Sequence, residues 1–280
     1  MLTRNITHRL GARSLFKAIY YWLLARLGIR RLRGHSFFGT LLPRPAVVAD
    51  FGAHRGEFFA AFKSEYSISR ALLVEANPVL AEFLKGTFRN DTDIRHGALV
   101  GGNNNGSVVF TLSTEPESSS IFSDWAGAWG VADQLDVPAF DVSTVIRELG
   151  GRIDLLKFDI EGAEIGVLET ATVSDLASCR QLTVEFHDTR PPLTRCDVDH
   201  VCQRLRRAGY CIVHANWPYF DDVLFVNFKH MTLGTRFRFR CRIMVVNLLF
   251  IFRGTFFWCI RLVRKIRSKL FTGEDMNPVP

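Results

Sequence analysis

Between Ala46 and Phe228, short apolar runs alternate with stretches whose apolar residues recur at helical spacing. That rhythm predicts parallel strands joined by helices. Ala46, Val47, Val48 and Ala49 form an unbroken apolar run after Pro45, as a strand buried on both faces requires. This first strand is expected to reach Phe51, with a helix over 57–65. A second strand over 71–75 ends in EANP, and Pro78 suits the first turn of a helix over 79–88. A third strand is expected at 94–100 and an extra one at 107–112, separated by the flexible turn GGNNNG. Residues 113–136, rich in Ser, Gly and acids, are read as a long loop serving as a lid or acceptor surface. A helix over 141–149 has Ser143 as its cap, and further strands are expected over 153–160 and 182–187. A helix over 198–208, closed by Gly209, leads to an antiparallel pair over 210–215 and 223–228.

Charge divides the chain differently. Residues 1–49 carry nine Lys/Arg and no acid, residues 50–222 carry 15 bases and 26 acids, and residues 223–280 carry 11 bases and two acids. The net charge of +7 thus conceals an acidic body between basic arms, read as 1–45 and 231–280 around a domain over 46–230. Such arms point to a polyanion, either a lipid surface or a nucleic acid. In the first arm Leu15, Ile19, Trp22, Leu23 and Leu27 recur in helical rhythm among Arg13, Lys17, Arg26 and Arg30, as in helices that lie on anionic membranes. Its apolar run, 18–25, is too short to span a bilayer and lacks a clear cleavage site for a leader peptide. In the second arm ten uncharged residues separate Arg242 from Arg253, against the ~20 that a hydrocarbon core about 30 Å thick demands. An interfacial helix is therefore expected there. The six cysteines form no CxxC pair and are read as reduced thiols in a cytosolic protein, peripheral at the inner membrane surface.

Four stretches carry candidate chemistry. DFGAHRG (50–56) places small residues after a buried strand, where bare backbone lets a cofactor approach, though not at dinucleotide-binding spacing. Glu75 ends the second strand, where an acid can hold both hydroxyls of a ribose. In KFDIEGAE (157–164), Lys157, Asp159 and Glu161 share a face, so two carboxylates converge at a strand's carboxyl end. Glu161 and Glu164 could alternatively serve the following helix as capping acids. Glu185 and His187 in EFH share a face at the next strand's end, a potential base or orienting pair, with a structural histidine as the plain alternative. No ligand spacing diagnostic of a metal is present, and none is assigned.

DFGAHRG, VEANP, LLKFDIEGAE and EFH, in this order and with the closing LFVNF (224–228), resemble the FkbM family of S-adenosylmethionine-dependent methyltransferases over about residues 46–228. His54 stands where the family more often has Asn, and Ala76 where it has Pro. The resemblance implies an α/β, Rossmann-like class I methyltransferase fold: a mostly parallel seven-stranded sheet with an antiparallel last strand. It implies S-adenosylmethionine as cofactor and, usually, O-methylation of a hydroxyl on a sugar, glycolipid or natural product. On that basis Gly52 and Ala53 approach the methionine part of the cofactor and Glu75 holds the ribose, with Asp50, Gly56 and Asn77 completing the cofactor set. Asp159 is placed near the sulfonium and acceptor, His187 is the expected base, and Glu161 and Glu185 orient them. Two rivals keep the fold. One is an RNA methyltransferase whose Arg- and Phe-rich 236–242 tracks phosphates, disfavoured by the acidic body; the other is a non-catalytic membrane adaptor.

Overall fold

A computed structural model describes residues 12–88, 92–102, 106–115, 118–128, 130–187, 194–215, 222–245 and 248. In chain order the elements are α1 (Ala12–Arg26), β1 (Ile29–Leu32), β2 (His35–Phe38), β3 (Ala46–Phe51), α2 (Glu57–Glu65), β4 (Ile68–Glu75), α3 (Pro78–Thr87), β5 (Asp93–His96), β6 (Ala98–Leu99), β7 (Ser107–Ser113) and α4 (Ser123–Gly127). They continue with β8 (Val131–Phe140), α5 (Val142–Glu148), β9 (Leu155–Phe158), α6 (Glu164–Thr170), α7 (Val173–Ser178), β10 (Gln181–Val184), α8 (Arg195–Ala208), β11 (Tyr210–Ala215) and β12 (Val223–Asn227). Contacts divide the chain into two units, Gly28–Arg236 and a second made of Met1–Leu27 with Phe237–Pro280.

The larger unit is built on a seven-stranded sheet of order β11-β12-β10-β9-β3-β4-β5. All neighbours from β10 to β5 are parallel, and β12 runs antiparallel to both β10 and β11. The expected sheet, with its antiparallel last strand, is therefore present. Successive strands leave β3 on one side through β4 and β5 and return on the other through β9 and β10. The crevice beyond the carboxyl ends of β3 and β9 is thus the topological switch point, where open α/β sheets bind ligands. Ala46, Val48, Ala49 and Phe51 of β3 are fully buried, and Phe51 meets Phe158 of β9 edge-on at 5.2 Å between ring centroids. Asn77 caps α3 by accepting from the amides of Val79 and Leu80, and α8 carries a Thr194/Asp197 capping box with Gly209 in the left-handed region after it.

Several boundaries differ from the sequence reading. Residues 28–45 belong to the body and not to a basic arm, because β1 and β2 form a hairpin clamped onto it. The fully buried Asp222 carboxylate accepts from Ser36 N (2.8 Å), Ser36 Oγ (2.6 Å) and Arg31 Nε (3.0 Å). Gln181 pairs with both main-chain groups of Phe38, and Phe37 packs on Phe62 and Tyr66 of the α2 region at 5.3 and 5.4 Å. The 94–100 strand is broken at Gly97, whose φ of +142° turns the chain into a separate sheet of order β6-β8-β7. The supposed loop 113–136 holds α4 and most of β8, which pairs antiparallel with β7 along its length. Asp141, not Ser143, caps α5: it accepts from Thr144 N at 2.8 Å, while buried Ser143 accepts from Thr172 N.

In the smaller unit α1 confirms the helix expected in the first arm, with Tyr20 and Leu24 buried and Ile19 and Trp22 exposed. The Arg26 guanidinium lies over the Trp22 ring at 5.0 Å. Residues 237–245 are helical, continuing a helix that begins at 233 in the larger unit, and no described helix is long and apolar enough to cross a membrane. The interfacial reading of the apolar and basic stretch from 249 onward lies outside the described residues, as does the start of the first arm.

Candidate active site

The switch-point crevice opens into a cavity of about 370 Å³, within the range of small-molecule sites. Its wall is formed by the turn after β3 (Gly52 to Arg55), the tip of β4 with its following turn (Val74 to Asn77), and the tips of β9 and β10. The hairpin contributes Arg33 and His35, and Leu99, Phe110 and Ile121 supply an apolar side.

The turn after β3 is forced by packing. Gly52 has φ +72°, and a Cβ there would lie 1.7 Å from the main-chain oxygen of Asp159. The turn is held to β4 by Gly52 N and Ala53 N, both donating to Val74 O, and by His54 N donating to Glu75 Oε2 at 2.7 Å. The other Glu75 oxygen accepts from Asn77 N at 2.8 Å. Each carboxylate oxygen has two lone pairs, so Glu75 keeps acceptor capacity toward the cavity it lines. Burial raises its pKa above the usual carboxylate value, against the two amides that hold its charge.

Of the expected cofactor residues, Gly52, Ala53, Glu75 and Asn77 line the cavity. Asp50 and Gly56 do not. Asp50 is fully buried behind the wall as the partner of Lys157, and a Cβ at Gly56 would strike Phe88 and Leu84. Asn77 contributes its main chain to Glu75 and its side chain to the α3 cap.

Lys157 is the residue that sequence reasoning left unassigned. It stands opposite Asp50 in the β3–β9 register and is buried, with Nζ 3.0 Å from Asp50 Oδ1 and 3.5 Å from Asp159 Oδ2. It also donates to Gly52 O at 2.9 Å, tying the cofactor turn to the acidic strand tip. Burial opposes its charge, but Asp50 and then Asp159 outweigh that and hold its pKa above the ordinary lysine value. Burial likewise pulls Asp50 upward, with Lys157 opposing. A lysine inside the apolar run LLKF was the available signal, since a charge in a buried strand needs a partner.

Asp159 follows β9 at the cavity floor, and His35 Nε2 of the hairpin lies 3.3 Å from its Oδ2. Burial acts to raise the Asp159 pKa, but Lys157 and His35 outweigh it and hold the carboxyl well below the usual range. Glu161 also lines the cavity, in the left-handed region at φ +51°, with its carbonyl accepting from Ser120 Oγ at 2.6 Å. Glu164, fully buried at the start of α6, accepts from Ile160 N (2.9 Å) and Gly162 N (3.1 Å) and meets His187 Nδ1 at 2.9 Å.

His187 Nε2 then faces Glu161 Oε2 at 3.4 Å and Glu185 Oε1 at 4.0 Å. Burial opposes the charged ring, but Glu164 and then Glu161 and Asp159 push its pKa up to about 10. The carboxylates around the residue expected as base thus all favour its charged form. The structure gathers Asp159, Glu161, Glu185 and His187 at one place and adds Lys157 and Glu164 of the same KFDIEGAE motif, together with His35, which lies outside every motif.

A solved FkbM methyltransferase from Methylobacillus flagellatus KT is similar at 15% identity and a TM-score of 0.44, over 78% of this chain and 60% of that one. A magnesium protoporphyrin IX methyltransferase from Synechocystis PCC 6803, solved with bound S-adenosylmethionine, is similar at 11% identity and a TM-score of 0.36, over 78% and 81%. The AMB antimetabolite synthetase AmbE of Pseudomonas aeruginosa is 45% identical over 67 residues, a stretch that is 24% of this chain and only 3% of that protein. The model of the methyltransferase FkbM domain matches residues 50–212, more than half of the chain and the whole path from the Asp50 turn into β11, and the chain belongs to the FkbM methyltransferase family.

Proposed function

We propose that this methyltransferase uses S-adenosylmethionine to methylate a hydroxyl oxygen of a sugar, glycolipid or natural product. The observation that carries this reading is the placing of Asp159, Glu161 and Glu185 on the floor of the cavity that Glu75 also lines. The residues fit the cofactor: Glu75 offers acceptor capacity for ribose hydroxyls, and Gly52 and Ala53 present main chain. In the lining the carboxylates of Glu57, Glu75, Asp159, Glu161 and Glu185 outnumber the cations of Arg33, Arg55 and Lys157, which suits a ligand that carries a sulfonium and an ammonium. When bound, the cofactor supplies an electrophilic methyl group. A floor lined by hydrogen-bond acceptors favours an acceptor molecule that brings O–H donors. Glu185 takes the hydroxyl hydrogen bond, aligns the oxygen for in-line attack and receives its proton, while Asp159, held ionised, supplies negative charge beside the site of the cationic cofactor. Lys157 positions Asp159, and Glu164 positions His187.

Calorimetry with S-adenosylhomocysteine should show binding that Glu75→Ala weakens at least tenfold. Mass spectrometry of host glycolipids and polysaccharides, with and without the protein, should reveal a species lacking one CH₂ increment. A chain that binds no S-adenosylhomocysteine, or whose removal leaves every glycan mass unchanged, would overturn the reading. The arms are assigned to an anionic membrane surface at the cytoplasmic face, on the basis of their charge and the exposed Ile19 and Trp22. Flotation with anionic vesicles should recover the full chain, and truncation of 231–280 should reduce recovery. A salt-dependent shift with RNA but none with vesicles would put the RNA reading in its place.

A further inference from the structure

We propose that the floor of the cavity is a binding site for a divalent transition cation of the Mn²⁺ class, held by Asp159, Glu161 and His187 with Glu185 and His35 beside them. This rests on the reading of the cavity as the methyl-transfer site and adds a ligand that no motif spacing announces.

Donor separations carry the inference. Two sets of three, His35/Asp159/Glu185 and Asp159/Glu161/His187, each place one ligand atom per residue within 4.8 Å of the others, and they share Asp159. Ligands about 2.1 Å from one ion lie about 3.0 Å apart when cis in an octahedron, about 3.4 Å in a tetrahedron and about 4.2 Å when trans. The contacts His187 Nε2–Glu161 Oε2 at 3.4 Å, His187 Nε2–Glu185 Oε1 at 4.0 Å and His35 Nε2–Asp159 Oδ2 at 3.3 Å fall within that span. Imidazole together with carboxylate is the donor mixture of Mn, Fe and Zn sites, whereas an all-oxygen set would suit Mg or Ca.

Two observations lie outside the acidic residues themselves. Glu164 engages His187 Nδ1 at 2.9 Å, which leaves Nε2 aimed at the cluster. This is the carboxylate–histidine arrangement that sets the ring for a metal. His35 comes from the separate hairpin, is only 2% exposed, and its Nε2 lies 3.3 Å from Asp159 Oδ2 on the cavity floor. This buried imidazole already pairs with one of the ligand carboxylates, which adds a nitrogen donor at the edge of the cluster. Lys157 also touches Asp159, but its charge is shared with Asp50 behind the wall. An ion here would sit where the acceptor hydroxyl is expected and make that O–H more acidic.

The test is titration of the chelator-treated full chain with Mn²⁺, read by water-proton relaxation, with S-adenosylhomocysteine binding measured on the same samples. One saturable Mn²⁺ per chain is expected, with affinity reduced at least tenfold in His187→Gln and in Asp159→Asn, and about tenfold in Glu164→Gln. Failure of the wild-type chain to bind Mn²⁺ at millimolar concentration, or binding that these variants leave unchanged, overturns the site. Retention of S-adenosylhomocysteine binding in that case would leave the methyl-transfer reading standing, whereas loss of both would remove both. Because the wild-type titration alone can refute the site, a variant that fails to fold does not protect it.

Discussion

Replacing Asp222 by Ala should free the β1–β2 hairpin while leaving the seven-stranded sheet intact. The carboxylate is wholly buried and accepts Ser36 N at 2.8 Å, Ser36 Oγ at 2.6 Å and Arg31 Nε at 3.0 Å. Arg31 is partly exposed and keeps Gly34 O as an acceptor, so its loss is muted. Ser36 is fully buried, and truncating Asp222 removes the acceptor of both its amide and its hydroxyl. A buried donor left without an acceptor costs about 1–3 kcal/mol, so two cost about 4 kcal/mol. The main-chain ladder of the hairpin and the Gln181–Phe38 pair survive, so the penalty falls on docking more than on the hairpin's own pairing. A local opening made easier by about 4 kcal/mol lowers amide protection about a thousandfold, readable by hydrogen exchange over peptides from 28–38. Amides of β3, β4 and β9 should change far less. Hairpin protection within tenfold of wild type would show that Asp222 does not hold it, and the reasoning from buried donors would fail.

Other outcomes follow from the same geometry. Gly52→Ala should abolish S-adenosylhomocysteine binding and cost at least about 3 kcal/mol in urea denaturation, because the new Cβ meets the Asp159 oxygen at 1.7 Å and φ is +72°. Lys157→Met strands Asp50 and should destabilise by about 3–5 kcal/mol, whereas Lys157→Met with Asp50→Leu should regain much of that in a denaturation cycle. His187, raised from 6.5 to about 10 in the metal-free protein, contributes stability that is complete below pH 6.5 and lost as pH rises through about 10. Urea midpoints in chelator should therefore fall between pH 6.5 and 10 in wild type and fall less in His187→Gln. Asp159, depressed below its ordinary value, contributes in the opposite window, so its share is present above pH 3.8 and lost on further acidification. Asp159→Asn should flatten the acid limb of the same curve.

Local pattern was enough for the central strands, the glycine turn and the order of the cavity-lining strand tips. A run such as Ala46–Ala49 has one low-energy place in an α/β fold, and Gly52 and Gly209 occupy backbone conformations that few other residues tolerate. The face shared by Lys157, Asp159 and Glu161 was also legible, since strand alternation is local. Local pattern misled where composition outweighed pairing. Arg30, Arg31 and Arg33 made 28–45 look like a basic arm, yet its position is set by Gln181 and Asp222, 143 and 186 residues further along from their partners. Leu135, Val137 and Ala139 alternate inward on β8, but the intervening Asp136 and Pro138 concealed a strand that exists because β7 pairs with it.

The site shows the same division. Residue types at the tips of β3, β4, β9 and β10 could be read along the chain, because each strand carries its own tip. That Lys157 neutralises Asp50, that Glu164 grips His187, and that His35 reaches Asp159 are facts of register and docking between distant segments. Charge state depends on burial and on neighbours a few ångströms away, and only the folded chain brings those neighbours together.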